Sequence, residues 1–425
     1  MRTGSEVRSF FAQTEDMGAL TEHTGTWTLE DQFSSRWQYL PVEVSPGAAM
    51  VRATLEYERT GAVLDLGCLG PSGFRGWSGG ARDSFVVAAG AATPGYLPGE
   101  IEPGLWQVFL GLHQIPAEGV RYRVTAEALP GGWTPGEHIT PAVPAERPAR
   151  RELPAGPGRR WLAGDLHSHT VHSDGALTVP ELACFAISRG LDFLAITDHN
   201  TVSHHPELPG VSARYGITLL PGQEVTTAGG HAGVLGEVGW IDFRGSADDW
   251  LDATEAGGGL MSVNHPVGGP MSWLHPMRRR PPLAEVWHWS WLDLSWTHTL
   301  AWWQAWDPAV IPVGGSDWHR EGSDAPPGTP TTWVETECDS GAALGEPGAI
   351  LDAIRAGRVA ISAGRDGPVL LRHDGELVAA GADGLVLAGP DGGYRRVSGD
   401  LARFGGQPGY HRLLTPAGAT AALTP

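Results

Sequence analysis

The chain has 425 residues, of which 29 are Lys or Arg and 48 are Asp or Glu, for a formal net charge of −19 at pH 7. That length suggests two or three domains, and the acidity argues against a surface that wraps nucleic-acid duplex, which needs clustered Lys and Arg. Three dispersed cysteines, Cys68, Cys184 and Cys338, exclude a disulfide framework or a thiolate zinc site, whereas 17 histidines leave imidazole and carboxylate for any metal chemistry.

Residues 1–18 lack the apolar run of a signal peptide. No stretch approaches the ~18 apolar residues of a membrane span, so the expectation is a soluble cytoplasmic protein with no membrane partner. Residues 1–150 alternate short apolar runs with Gly/Pro turns: WQYLPVEV, MVRATLEYE, AVLDLGCLG, DSFVVAAG, LWQVFLGLH and VRYRVTAEAL. Strands at this spacing, without a convincing amphipathic helix, predict a β-sandwich accessory domain. A Pro-rich, Arg-bearing stretch follows and reads as a linker ending at residues 151–160.

From Trp161 the pattern changes. WLAGDLHSH predicts a strand, and TVPELACFAISRG a helix that Gly190 ends. DFLAITDHN and ITLLPGQEV are buried-strand runs, SADDWLDATEAGG is a helix with Ser246 as N-cap, and LMSVNHP is another strand. AEVWHW, VIPVGGSD and TTWVETE are further strands, and PGAILDAIRAG is a last helix. This alternation implies an α/β barrel or a doubly wound sheet over residues 161–365. Residues 366–425 return to short, Gly-separated β-like runs, a β-rich C-terminal segment without tandem repeats.

Polar residues collect where these strands end, the place where barrel active sites are built. His167 and His169 stand two apart on an extended strand end, so both imidazoles can meet one ion. Asp174 follows in HSDG; Asp198 and His199 end the next strand, and Glu224 the one after. His231 lies in GGHAGVLG, His265 ends LMSVNHP, and Asp317 and His319 end VIPVGGSDWH. A single such histidine is commonplace. Successive strands that each end in His, Asp or Glu are not, because these groups are costly to bury unless paired or metal-bound.

The order HxH, SDG, TDHN, GQE, GH, NHP and GSDWH resembles the PHP (polymerase and histidinol phosphatase) superfamily, and with a β-rich N-terminal segment it is most similar to the carbaryl-hydrolase-like branch. The resemblance implies a distorted (β/α)7 barrel with two or three divalent ions at the strand C-termini. Carried over, one ion would be held by His167, His169, Glu224 and Asp317. A second would share Glu224 and add His231 and His265, and a third would take Asp174, His199 and His319. Mixed His/carboxylate sets without thiolate suit Zn²⁺, Mn²⁺ or Fe²⁺. Three such ions against three ligand carboxylates leave a site near about +3, suited to clamping a phosphate while a metal-activated hydroxide attacks.

Around that set, Asp198 is placed to orient a ligand or a water, with a turn cap as the plainer alternative, and Asn264 has the same two readings. His204 and His205 run into a loop where His205 is a general-acid candidate, against the plainer reading of a solvated histidine. Arg320, directly after His319, is the first choice for a phosphate-binding side chain, whereas Arg278, Arg279 and Arg280 read as a solvated run. Eight tryptophans crowd residues 273–306. Trp302, Trp303 and Trp306 have helical spacing and read as core. Alternation puts Trp287, Trp289 and Trp291 on one side of their strand and His288 on the other, while Trp273 could stack on a flat substrate.

The expected function is a metal-dependent phosphoesterase acting on a small anionic molecule such as a nucleotide. The alternatives are a metallohydrolase of neutral esters, carbamates or amides and, from another class, a β-sandwich-mediated binding or scaffold protein.

Overall fold

A computed structural model describes residues 20–136, 140–144, 146–322, 325–337 and 346–425; the expectations resting on residues 1–18 and on Cys338 lie outside the described residues. Two compact units emerge, residues 20–136 with 171–174 and residues 140–170 with 175–425. Together they make a mixed α/β protein.

In the first unit, period-two burial builds the strands. Within WQYLPVEV, Leu40, Val42 and Val44 are buried while Pro41 and Glu43 are exposed, the alternation of a strand with one face in a core. The elements are β1 (Leu20–Trp27), α1 (Leu29–Ser34), β2 (Trp37–Val44), β3 (Met50–Tyr57) and β4 (Val63–Gly70). Then come β5 (Gly73–Gly79), β6 (Ser84–Ala88), β7 (Gly104–Gln114) and β8 (Val120–Leu129). They form two four-stranded antiparallel sheets, ordered β1-β8-β3-β6 and β2-β7-β4-β5. The inner faces share one apolar core that includes Val42, Val51, Leu64, Phe85, Trp106, Leu110 and Val124. β1 and β5 stand outside the apolar runs for a physical reason: β1 is polar nearly throughout and β5 is GFRGWSG, so neither carries an alternating apolar signal. The short α1 buries no side chain and rests on a Thr28/Asp31 capping box.

The second unit begins with β9 (Arg159–Asp165), α2 (Val179–Ser188), β10 (Phe193–Ile196), α3 (Leu208–Tyr215), β11 (Thr218–Thr227) and β12 (Gly230–Leu235). It continues with α4 (Ala247–Ala256), β13 (Leu260–Asn264), β14 (Leu283–His288), α5 (His298–Trp306) and β15 (Ile311–Gly315). The last of this series are β16 (Thr331–Glu337), α6 (Pro347–Arg355) and β17 (Val359–Ser362). Every residue of β10, β13 and β14 is buried, as expected for strands covered on both faces. Thr178 with Glu181 and Ser246 with Asp249 cap α2 and α4 in reciprocal boxes, and Gly190, at φ 78°, turns the chain after α2.

The sheet runs β15-β14-β13-β12-β11-β10-β9 and on through β16 and β17. β9, β10 and β11 are parallel, as are β13, β14 and β15, and β12 is antiparallel to both neighbours. A parallel bridge between Ser168 and Trp318 joins the chain just past β9 to the chain just past β15. The C-terminal segment adds β18 (Val369–His373), β19 (Glu376–Ala380), β20 (Val386–Ala388), β21 (Tyr394–Arg396), β22 (Leu401–Gly405), β23 (His411–Leu414) and β24 (Thr420–Thr424). Of these, β24, β23, β20 and β21 extend the large sheet from β17, and β18, β19 and β22 make a separate one.

The Pro-rich stretch before β9 is no free spacer. Arg147 donates to the carbonyl of Gly216 at 2.6 Å, Arg150 to Asp192 at 2.6 Å and Arg151 to the carbonyl of Arg365 at 3.0 Å, so its arginines pin it along the second unit. Among the described residues, no helix is long and apolar enough to cross a membrane.

Candidate metal centre

Seven consecutive strands deliver polar side chains to one end of the sheet. His167 and His169 follow β9, Asp198 and His199 follow β10, Glu224 lies on β11 and His231 opens β12. His265 follows β13, Glu285 and His288 lie on β14, and Asp317 and His319 follow β15. The antiparallel hairpin explains His231: it sits opposite Thr226 and Asn264, and so reaches the face of β11 that carries Glu224.

Four overlapping groups have ligand atoms within 4.8 Å of one another. They are His167, His169, Glu224 and Asp317; His199, Glu224 and His231; His169, Asp174, His199 and His319; and His167, His265, Glu285 and His288. Glu224, fully buried, is their hub. Its Oε1 lies 3.0 Å from His167 Nε2, 3.4 Å from His231 Nδ1 and 3.3 Å from His265 Nε2, while its Oε2 lies 2.8 Å from His199 Nδ1. Asp317 Oδ1 lies 2.9 Å from His169 Nε2 and 3.1 Å from His167 Nε2. His265 and Asp317 hold positive φ values of 28° and 52°, the left-handed region that non-glycine residues avoid, here at two of the convergent side chains.

Burial and charge pull against each other here. Desolvation opposes charge on Glu224 and Asp317, yet His167 beside both carboxyls, together with His231 at Glu224 and hydrogen bonds from neighbouring imidazoles, holds them well below the usual carboxylate range. For His167, desolvation is outweighed by Glu224, Asp317 and Glu285, which raise it well above an ordinary imidazole. His169 goes the other way: burial, then repulsion from His319 and His199, lowers it to about 4. Burial likewise lowers His231.

A divalent ion fits these groups on the structure's own terms. His167 Nε2, His169 Nδ1, His231 Nδ1 and His265 Nδ1 are buried nitrogens without a hydrogen-bond partner, and an orphaned buried polar atom calls for a partner. His167 Nε2 is within 3.1 Å of two carboxylate oxygens and still makes no hydrogen bond, the mark of atoms aimed at a common point rather than at each other. The donor set of imidazole and carboxylate is that of Zn²⁺, Mn²⁺ or Fe²⁺ sites.

All nine ligand positions read from the sequence fall in these groups, with one regrouping: His265 joins Glu285 and His288 rather than the group of His231. Asp198 is fully buried and accepts from Thr170 N at 2.8 Å and Thr170 Oγ1 at 2.7 Å, holding the turn after His169. Its Oδ2 also lies 3.2 Å from His204 Nδ1. The reading of His204 and His205 as solvated loop residues is corrected. His204 is fully buried against the carbonyl of Ile196, and His205 is half-buried on a 3-10 turn, with Nε2 on the carbonyl of Gly222 at 2.9 Å. Neither belongs to the four groups. Arg320 is exposed beside His319. Arg278 and Arg279 are paired with Asp248, Asp252 and Glu255, and Arg280 lies over the Trp306 ring. Trp273 is half-buried beside His275 and Trp250.

Glu285 and His288 were missed. Strict alternation sets them on opposite sides of β14, but a bulge between Glu285 and Trp287 shifts the register so that both meet the cluster. The alternation of the tryptophans also fails, because β14 ends at His288 and the chain turns at 289–290: Trp287 and Trp291 are buried, whereas Trp289 is 36% exposed and its Nε1 lies 3.4 Å from Asp317 Oδ2. The available signal was a lone glutamate inside an otherwise apolar buried run.

Comparison with known proteins agrees with this constellation. A family model described as PHP domain matches residues 165–260. The 5'-3' exoribonuclease Rnm of Salmonella typhimurium is 43% identical over 65 residues, 15% of this chain and 22% of that protein. The 3',5'-nucleoside bisphosphate phosphatase of Chromobacterium violaceum is 42% identical over 67 residues, 16% of this chain and 24% of that protein. The chain thus spans about a quarter of the length of these curated relatives. A solved two-domain protein of Bacteroides vulgatus, described as containing a predicted PHP-like metal-dependent phosphoesterase, aligns with a TM-score of 0.40 at 16% identity, over 66% of this chain and 91% of that one. The matched residues 165–260 hold His167, His169, Asp174, His199, Glu224 and His231, and the chain contains a PHP domain.

Proposed function

We propose that the chain is a metal-dependent phosphoesterase acting on a small phosphorylated molecule such as a nucleotide. The observation that carries this reading is the convergence of buried imidazoles on Glu224 and Asp317, with His167 Nε2 and His231 Nδ1 facing Glu224 without a hydrogen bond. The names of the relatives, an exoribonuclease and a nucleoside bisphosphate phosphatase, support phosphorus–oxygen bond cleavage as the class of reaction. In this reading residues 161–365 are a distorted (β/α)7 barrel, supported by the Ser168–Trp318 bridge, and the first unit is a β-sandwich accessory domain.

His167, His169, Glu224 and Asp317 would hold one ion, Glu224 with His231 and His265 or His199 a second, and Asp174, His199 and His319 a third. Ions bound there supply Lewis acidity to a phosphoryl oxygen and lower the pKa of a water. The chain's own part is to keep imidazoles and ionised carboxylates ready in a desolvated site, where electrostatic attraction is strongest. Glu224 offers its two oxygens to different histidines and so would serve more than one ion. Arg320, exposed beside His319, is the side chain we assign to the substrate phosphate. Asp198 holds the turn that carries His169, and His205, on the Gly222 carbonyl, is left the lesser role of general acid.

The test is activity of metal-replete protein on phosphate mono- and diesters beside aryl esters and carbamates, with Mn²⁺ and Zn²⁺ compared. Turnover of the phosphates is expected. Turnover confined to neutral esters would overturn the reading.

A further inference from the structure

The three ion sites read from the sequence do not use Glu285 or His288, yet both are 3% exposed and stand with His167 and His265 in the fourth group, on the one bulged strand. Glu285 has both oxygens committed. Oε1 lies 3.0 Å from His167 Nδ1, and Oε2 accepts the main-chain N–H of His265 at 2.9 Å. An ionised carboxylate only accepts, so His167 Nδ1 must carry a hydrogen, and Nε2 is the nitrogen that faces Glu224 and Asp317 and holds the lone pair once the ring is neutral. The Asn264 amide nitrogen is farther from the same Nδ1, at 3.4 Å, and donates to Glu224 Oε1 at 3.0 Å.

His288 has its own constraint. His288 Nδ1 meets Ser290, its Oγ at 2.8 Å and its main-chain N–H at 3.1 Å, while Nε2 faces the Asp317 carboxylate, which only accepts, so the ring hydrogen is on Nε2. That Nε2–H points at Asp317 Oδ2 from 3.1 Å and leaves Oδ1 turned toward His167 and His169. The ring nitrogen and the carboxylate oxygens that these two residues turn toward the cluster are thus engaged by Asp317, His167 and the His265 main chain. Gly315 on the adjacent strand completes it: a Cβ there would collide with Glu285 Oε1 and with His167 Cβ, so only glycine lets the two close up.

We propose that β14 is an orienting strand. Glu285 fixes the metal-facing nitrogen of His167 and anchors the backbone of His265, and His288 fixes which oxygen of Asp317 faces the ions. Both are positioning residues, and the bulge is what lets one strand serve both. This rests on the metal reading above. It goes beyond it by assigning two residues that hold ligands without being ligands. Outer partners of this kind contribute about 10–100-fold in metal affinity.

The test is Glu285→Gln and, independently, His288→Phe. Zn²⁺ affinity is measured by competition with a chelator, bound metal is counted, and the unfolding midpoint of the metal-free protein is recorded. In Glu285→Gln the amide places a donor against either His167 Nδ1–H or the His265 N–H, whichever way it turns. The expected result for both variants is Zn²⁺ binding weaker by about 10–100-fold, the same number of ions at saturation, and a metal-free midpoint that does not account for the loss. In zinc-loaded wild type, long-range ¹H–¹⁵N spectra should show a protected Nδ1 proton on His167, lost or exchanging in Glu285→Gln. That signal would not move if Glu285 served packing alone. Unchanged affinity in both variants, or loss of one whole ion from saturated Glu285→Gln, would overturn the proposal while leaving the metal reading intact. A wild-type protein that binds no divalent ion would overturn both. If Glu285→Gln does not fold, His288→Phe decides.

Discussion

Arg75 and Glu224 are both buried charges, one in each unit, and the two sites handle charge in opposite ways. The Arg75 guanidinium lies over the Trp106 ring at 4.7 Å and donates to the carbonyls of Leu97, Gly99 and Glu100. Each of its three side-chain nitrogens has an acceptor, and the neighbouring core is apolar. Around Glu224 the polar atoms outnumber the hydrogen bonds, and four buried imidazole nitrogens have no partner. Burial alone therefore does not distinguish a structural charge from a functional one; leftover lone pairs do.

The comparison breaks most sharply at its hub. Glu224→Gln is expected to lower bound metal and to reduce phosphoesterase turnover by at least about a hundredfold, the upper end of what losing even an outer partner costs. Metal analysis together with a steady-state assay checks this, and full activity at normal occupancy would remove Glu224 from its bridging place. At the other site, Arg75→Ala should cost about 2–3 kcal/mol of stability through its lost charged hydrogen bonds, read by urea unfolding, with metal content unchanged. A change in metal content there would mean that the two sites are not independent.

Protonation sharpens the contrast further. His167 is raised above the ordinary imidazole value, so its contribution to the metal-free fold is present below that value and lost as pH rises through the folded one. Glu224 and Asp317 are depressed, so their contribution is present above ordinary carboxylate pKa values and lost as pH falls through the folded ones. His169, lowered to about 4, works against folding as pH drops from the imidazole range toward 4. At pH 7 metal binding should then displace about one proton, chiefly from His167, measured as the buffer dependence of calorimetric heats. Heats independent of the buffer would contradict the charge assignment. The smallest effect expected is that of Arg320→Ala, which should raise KM for a phosphate ester several-fold, about 1 kcal/mol, and leave a neutral ester unaffected. Equal shifts on both would detach Arg320 from the phosphate.

Much of this centre was legible because most ligand positions, Asp174 and His231 apart, follow a buried run. WLAGDL, DFLAI, LMSVN and VIPVGG announce strands by composition, and the polar residue at the end of each has nowhere to go but the strand terminus. The capped helices α2 and α4 were equally readable, since Thr178 with Glu181 and Ser246 with Asp249 are local signals. β1, β5 and α3 were not, because polar, glycine-rich or weakly patterned stretches take their shape from the neighbours they pair with or pack on.

By itself, then, the sequence determined the strand-end ligand chemistry and the alternation that makes a mixed α/β unit, both of which depend on residue type and near spacing. Only the tertiary structure decided that His204 and His205 turn inward to main-chain carbonyls, that the arginine-rich linker is pinned down, and that Glu285 and His288 share a side. These depend on a register shift and on carbonyls far away in the chain, and no local pattern encodes them.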